Sequence, residues 1–378
     1  MSATPAEPSQ VPQRFVSLDA FRGLTIAAMI LVNTPGSWSH VYPPLRHAHW
    51  HGCTPTDLVF PFFLFIVGAA MRFSFRKYGD RPAAALVAKI LRRTAVIFLL
   101  GWALHAYPFI RQDWDWSGFR IMGVLQRIAL AYGIAAFVCA YLAPRARRGV
   151  ALAILLGYWG LLTAFGGQDP YGLETNLVRR IDLALLGANH LYTGTGIPFD
   201  PEGLLSTLPA AVTVILGFEV GDLIHAATDY RRTVVRMLRL GAAGIAAGWI
   251  WGRIVPINKQ LWTGSYVLYT AGWAILVLAG LVWVVEVRGW KRAVFPLVVF
   301  GANAIFLFTA SGLWVKSIAR FRYSLDGDTI SGYAYLYRTV FQPLAGDLNG
   351  SLLFALAHVG AWWLVLYGMY RARIFIKI

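Results

Sequence analysis

The segment PGSWSHVYPPLRHAHWHGCTPTDLVFPFF, residues 35–63, gathers His40, His47, His49, His51, Cys53 and Asp57 into one stretch, and so holds four of the chain's 8 histidines. Three chemistries are open to it. Alternate residues of an extended segment face the same way, so His47, His49 and His51 with Cys53 could bind zinc or copper, although the spacing matches no standard zinc signature. The histidines could instead bond only to water and backbone in a polar loop. The reading adopted is a general base: an imidazole is partly neutral near neutral pH and can take a proton from an attacking amine or hydroxyl. No metal is expected. Asn33 and Asp57 flank this loop. An amide can donate to a developing oxyanion and a carboxylate can orient an imidazole, while Asp57, following Thr54 and Thr56, also fits a plain helix-capping role.

These groups must be positioned by something, and the composition says what. Of 378 residues, 57% are hydrophobic and 14% charged, with a mean hydropathy of +0.56. A soluble domain runs near 45–50% apolar and about 25% charged. The expected class is therefore all-α and polytopic, with about ten membrane-spanning helices of about 20 residues each. The spans fall near 20–37, 56–74, 90–108, 119–142, 149–166, 205–225, 238–256, 265–286, 294–313 and 350–370. Residues 14–378 read as a single membrane domain without internal repeats, preceded by a disordered cytoplasmic tail at 1–13. That tail has neither a basic start nor a short cleavable apolar core, so the first span is expected to be retained.

The net charge of +16 is explained by topology. Arg72, Arg76, Lys77, Arg81, Lys89, Arg92 and Arg93 fall on one side with Arg145, Arg147, Arg148, Arg231, Arg232, Arg236 and Arg239. Arg288, Lys291, Arg292, Arg371, Arg373 and Lys377 join them. That side collects roughly two-thirds of the basic residues, which makes it cytoplasmic, with both termini on it. Attraction to anionic lipid accounts for the charge, and no nucleic-acid partner is expected. Cys53 and Cys139 fall near opposite faces, so no disulfide joins them.

Within the spans, Gln126, Arg127, Glu219, Asp222 and Asn303 are polar groups that must face the bundle interior, pair, or line a cavity. Arg127 pairing with a carboxylate is as good a reading as ligand contact. Lys89, Arg92 and Arg93 anchor the cytoplasmic side and could also hold phosphates.

The runs RFVSLDAFRGLTIAAMILVN and HAHWHGCTPTDLVFPFFLFIVG resemble the heparan-alpha-glucosaminide N-acetyltransferase family of lysosomal and bacterial membrane enzymes. RIMGVLQRIALAY, PFDPEGLLST, VPINKQLWTGSYVLYT, FGANAIFLF and the terminal RIFIKI resemble that family in the same order. The resemblance implies transfer of acetyl from cytosolic acetyl-CoA, the cosubstrate, to the amine of a glucosamine unit across the membrane. It assigns His47 as the active-site histidine, either general base or transient acetyl carrier, with Asn33 at the thioester carbonyl. Asp57, Arg120 and Glu202 lie in matching motifs and, with Trp50 and Trp262, are expected on the acceptor; Lys89 and Arg93, from their charge, and Gln126, Arg127 and Asn303, from their place inside the spans, are expected on the acetyl-CoA. The family also suggests a homodimer. Because the sequence begins almost at the first motif, the lumenal N-terminal domain and extra leading helix of lysosomal members are expected to be missing. The expected setting is a bacterial inner membrane with glucosamine or an amino-sugar fragment as acceptor, rather than heparan sulfate. Two alternatives stand beside this one. Arg14, Asp19 and Arg22 also form the opening pattern of membrane O-acyltransferases that modify envelope polysaccharide, and an amino-sugar transporter would equally bury polar groups.

Overall fold

The computed structural model describes residues 15–79, 84–109 and 115–376. The tail 1–13, Arg14, Arg81 and Lys377 lie outside the described residues. Helices dominate: α1 Val16–Asn33, α2 Val59–Phe75, α3 Ala84–Ala106, α4 Val124–Tyr141, α5 Pro144–Phe165 and a short α6 Leu177–Leu186. They continue with α7 Thr207–His225, α8 Tyr230–Trp251, α9 Gly264–Val282, α10 Phe295–Ala302, α11 Ala304–Ile318, α12 Gly332–Leu336 and α13 Gln342–Arg371. One antiparallel hairpin, β1 Arg322–Leu325 with β2 Asp328–Ser331, sits between α11 and α12.

Among the described residues, 8 helices are long and apolar enough to cross a bilayer, and the bent pair α10 and α11 brings the number to 9. Of the ten expected stretches, α3 is the one whose length suffices while its first half carries Lys89, Arg92 and Arg93. The ninth span breaks by 76° at Asn303. Large apolar side chains face outward on α5 (Leu152, Leu156, Phe165), α8 (Leu238, Trp249, Ile250) and α13 (Leu356, Leu364, Val365). Such a belt would be a liability in water and suits a lipid environment. This is a multi-pass membrane protein.

Small residues bring helix backbones together, as expected where lipid supplies no hydrophobic drive between helices. A Cβ at Gly248 of α8 would lie 2.4 Å from the Tyr269 nitrogen of α9. At Gly217 of α7 it would lie 2.0 Å from the Phe65 carbonyl of α2. Close packing joins α1 with α10 and α2 with α7, and the cavities lie where α1, α4 and α11 meet α3 on one side and α2 on the other.

The helix ends sort the charges as the sequence implied. At one end Ser17 donates to Glu286 (3.1 Å), Phe15 stacks on Phe73, and Arg147 bonds Glu219 (2.9 Å) and Asp222 (2.9 Å). Arg148 reaches Glu219 at 2.7 Å, and Arg72 also bonds Asp222. We call this the basic end. The opposite, loop end holds residues 34–58, 166–206, 252–263 and the hairpin. Cys53 at the loop end and Cys139 near the basic end are both free.

Candidate active site

The loop after α1 folds around one carboxylate. Asp57 opens the turn Pro55–Leu58 that leads into α2, and its Oδ2 accepts from the Thr54 nitrogen (3.1 Å) and the Ala48 nitrogen (2.9 Å). Capping therefore uses one oxygen. Oδ1 is left for His47, whose Nδ1 lies 2.7 Å away. The carboxylate is almost wholly buried (2% exposed) and the imidazole is 43% exposed. The two readings of Asp57, cap and imidazole partner, thus hold together on separate oxygens.

A second loop, residues 252–263, locks onto the first. The Gly52 nitrogen donates to the Ile257 carbonyl (2.7 Å), and Asn258 Nδ2 donates to the Trp50 carbonyl (2.9 Å). Tyr266, in the first turn of α9, donates its hydroxyl to the Asp57 carbonyl at 2.6 Å. This clamp delivers Lys259: its Nζ lies 3.0 Å from His47 Nδ1 and 3.2 Å from Asp57 Oδ1.

The other histidines of the loop have separate surroundings. His51 Nδ1 lies 3.2 Å from Asn258 Nδ2, and burial lowers its affinity for a proton. The Cys53 thiol is pushed up to about 12 by burial and by the charge of Asp57 beside it, so it stays protonated. Among the described residues no three His, Cys, Asp or Glu side chains converge on one point.

Two adjoining cavities open beside His47. The first, about 230 Å³, is lined by His47, Asn33, Lys259, Glu202, Thr25, Phe60 and Ile128 among others. Thr25 lies eight residues before Asn33 on α1, so this cavity descends ~12 Å into the bundle at 1.5 Å per residue. The second, about 340 Å³, is lined by Asn33, Gln126, His105, Arg120 and Lys316. Met29, Asn33, Val124 and Phe308 belong to both linings and form the partition. The amide of Asn33 has no partner among the described residues and is exposed to this space. Gln126 is fully buried, and neither its Oε1 nor its Nε2 has a partner among the described residues. Gly101 and Gly123 make its room, since a Cβ at Gly101 would lie 2.5 Å from Oε1.

Arg120 lines the second cavity and pairs with Glu202, which lines the first. Its Nε and Nη2 grip Asp200 (2.9 and 2.8 Å), and Nη2 also bonds Glu202 at 2.7 Å. Asp200 is the acid of PFDPEG that sequence reasoning passed over. Its spacing from Glu202 was visible, but its partner, 80 residues earlier, was not. Lys259 was missed for the same reason: it sits inside the quoted NKQLW run but 212 residues from His47.

The remaining expected residues lie elsewhere. Trp50 donates to the Tyr171 carbonyl (2.7 Å) and packs on Phe199, so it walls the loop. Trp262, buried with a φ of 53°, donates to Thr213 (3.2 Å) under the guanidinium of Arg127. Arg127 itself is fully buried and bonds the Gly203 carbonyl (3.2 Å) and Ser206 rather than a carboxylate. Asn303 spends both ends of its amide on the C-terminal segment, donating to the Ile374 carbonyl (2.9 Å) and accepting from the Ile376 nitrogen (2.8 Å). Lys89 reaches Ser74 at 2.5 Å, and the Arg93 guanidinium lies over Tyr132 with its buried Nε unpartnered. Neither lines the two cavities.

With this geometry in place, comparison with known proteins is decisive on ancestry. The family model described as heparan-alpha-glucosaminide N-acetyltransferase, catalytic, matches residues 14–226. The chain belongs to this family. The matched stretch contains Asn33, His47, Asp57, Arg120, Gln126 and Glu202. Among curated proteins, the human heparan-alpha-glucosaminide N-acetyltransferase is 27% identical, with 98% of this chain and 61% of the human protein covered. The mouse protein of the same name is 26% identical, covering 97% of the chain and 60% of its own length. The chain thus spans about three-fifths of these relatives' length, including the part beyond residue 226 that holds Lys259 and Trp262.

Proposed function

We propose that the protein is a transmembrane N-acetyltransferase that moves acetyl from cytoplasmic acetyl-CoA to the amine of glucosamine, or of a glucosamine-terminated glycan, on the opposite side. The basic end then faces the cytoplasm of a bacterium, in the inner membrane, with both termini there. The carrying observation is that His47 and Asn33, on separate elements, line one cavity that adjoins a second containing the unsatisfied amide of Gln126.

The residues fit an acyl-CoA substrate. The pantetheine arm carries amides, and the Gln126 amide offers one donor side and one acceptor in a buried pocket where an unpaired polar group is costly. Arg93, with its unpartnered Nε on the cytoplasmic half of α3, and Lys89 near it are the candidates for the phosphates. Glu202 on the acceptor side suits an amino sugar, since its carboxylate can accept a hydrogen bond from the neutral amine that attacks.

The transfer uses His47 as base. With Nδ1–H donated to Asp57, Nε2 carries the lone pair. The amine nitrogen attacks the thioester carbon, the C–N bond forms, and its proton passes to Nε2. The Asn33 amide donates to the carbonyl oxygen as charge develops. The C–S bond then breaks, and the proton on Nε2 goes to the departing thiolate. Amide and thiol are the products.

The test is thiol release from acetyl-CoA by detergent-purified protein with and without glucosamine. Amine-dependent release supports the reading. Release with hydroxyl acceptors alone would make this an O-acyltransferase, and silence with every acceptor combined with acetyl-CoA-independent uptake in sealed vesicles would make it a transporter.

A further inference from the structure

Lys259 is neither a surface charge nor a plain loop tether. Its side chain is 19% exposed and lines the His47 cavity, and its ammonium touches both His47 and Asp57. An ammonium has three N–H groups. With Nδ1–H of His47 donated to Asp57, that nitrogen accepts nothing from the ammonium, and with one N–H directed at Asp57 Oδ1 the others remain for the cavity. The position is also held firmly: Asn258, the preceding residue, anchors its side chain to the Trp50 carbonyl and accepts from the Leu261 nitrogen at 2.8 Å. The loop thus holds a cation beside His47, on the wall of the cavity that the imidazole also lines.

We propose that Lys259 is a catalytic residue, its ammonium stabilising the negative charge that forms on the acyl carbonyl oxygen during attack. This rests on the acetyltransferase reading. The step balances as follows: the nitrogen lone pair forms the C–N bond, the carbonyl π pair moves onto oxygen facing Lys259, and the attacking nitrogen's proton goes to His47. When that pair returns, the C–S bond breaks and the thiolate takes the proton from His47. Lys259 neither gains nor loses a proton. Asn33 alone is a neutral donor, and Lys259 adds charge. Asp57 has two tasks in this arrangement: it orients the imidazole and keeps the ammonium directed at the same point. The titratable groups lining the cavity are Glu202, His47 and Lys259, so the lysine is the one Lys or Arg lining it among the described residues.

The experiment compares wild type, Lys259→Met and Lys259→Arg, with acetyl-CoA and the more electrophilic fluoroacetyl-CoA as donors and glucosamine as acceptor. Removing a donor to an oxyanion costs ~10²–10³-fold in kcat. The expected result is that loss for Lys259→Met with acetyl-CoA, with KM for the donor changed less than about threefold and most activity retained in Lys259→Arg. The defect should shrink several-fold with fluoroacetyl-CoA, whose carbonyl carbon demands less help. Equal defects with both donors, or a change confined to KM, would overturn the proposal, because a tether that only shapes the loop impairs both donors alike. If Lys259→Met fails to fold, Lys259→Gln, which keeps a donor without the charge, is read in the same way, and activity equal to wild type there also overturns it. A wild type that transfers neither acyl group to any amine defeats the acetyltransferase reading itself, and the proposal with it. Transfer by wild type together with an unaffected Lys259→Met defeats the proposal alone.

Discussion

The two ends of the bundle handle charge in opposite ways. At the basic end, Arg72, Arg147 and Arg148 meet Asp222 and Glu219 in a closed set of ion pairs. At the loop end, Asn33 and Gln126 keep open hydrogen-bonding capacity on cavities, and His47 and Lys259 both crowd one carboxylate oxygen of Asp57. Buried polar groups with no partner are costly and persist where something else is to occupy them. The difference teaches that polarity inside a membrane domain is not itself a mark of function. What marks the site is polarity left unsatisfied beside empty space.

The largest test of this contrast removes its centre. His47→Ala should lower acetyl transfer at least ~10³-fold while thermal stability and acetyl-CoA binding stay near wild type, measured by thiol release and by ligand-induced melting shift. Full activity in this variant would take His47 out of the mechanism.

Next in size are the donor contacts. Gln126→Leu should raise KM for acetyl-CoA about tenfold with kcat less affected, since an amide in a buried pocket contributes about 1.5 kcal/mol of binding. Arg93→Glu should likewise raise KM for acetyl-CoA about tenfold and leave KM for the acceptor within about twofold. Equal effects on both substrates would count against a phosphate role. At the closed end, Arg148→Gln should leave both KM values and kcat within about twofold, because an exposed pair is worth about 1 kcal/mol or less. A large kinetic effect there would break the contrast.

The smallest effect is on stability. Asp182, on α6, is fully buried. Its Oδ1 accepts from the Leu204 nitrogen (2.9 Å), its Oδ2 is unpartnered, and burial pushes it up to about 7. Gly203 is required above it, because a Cβ there would lie 1.9 Å from Oδ2. An acid raised in the folded state binds its proton more tightly there than in the unfolded chain. The stability that Asp182 contributes is therefore full below pH 4 and is lost as pH rises through about 7. Melting temperature should drop by about 5 °C across that window and be flatter in Asp182→Asn.

Several features were legible before any coordinates. Apolar runs of about 20 residues announced the spans, and the positions of arginine sorted one end from the other. The span at 294–313 was less legible: its break comes at Asn303, whose amide is committed to backbone at 374–376, a contact that no local pattern encodes. The first helix begins four residues earlier than its apolar run, at Val16, because Ser17 finds Glu286 and Arg22 finds Asp19. The role of Arg127 also needed coordinates. Its partners are a carbonyl and a hydroxyl on the segment leading into α7, and only close packing shows that no carboxylate among the described residues bonds it.

By itself the sequence determined that this chain crosses a membrane many times, which end carries the positive charge, and which loop concentrates histidine. Those are properties of composition and of spacing along one segment, and the free energy of transfer to lipid acts on segments. Only the tertiary structure decided that Asp57 divides its oxygens between a cap and His47, that Lys259 arrives beside them, and that Asn33 and Gln126 face shared space. Hydrogen bonds and cavities act over a few ångströms between residues hundreds of positions apart, so their partners exist only once the helices have packed.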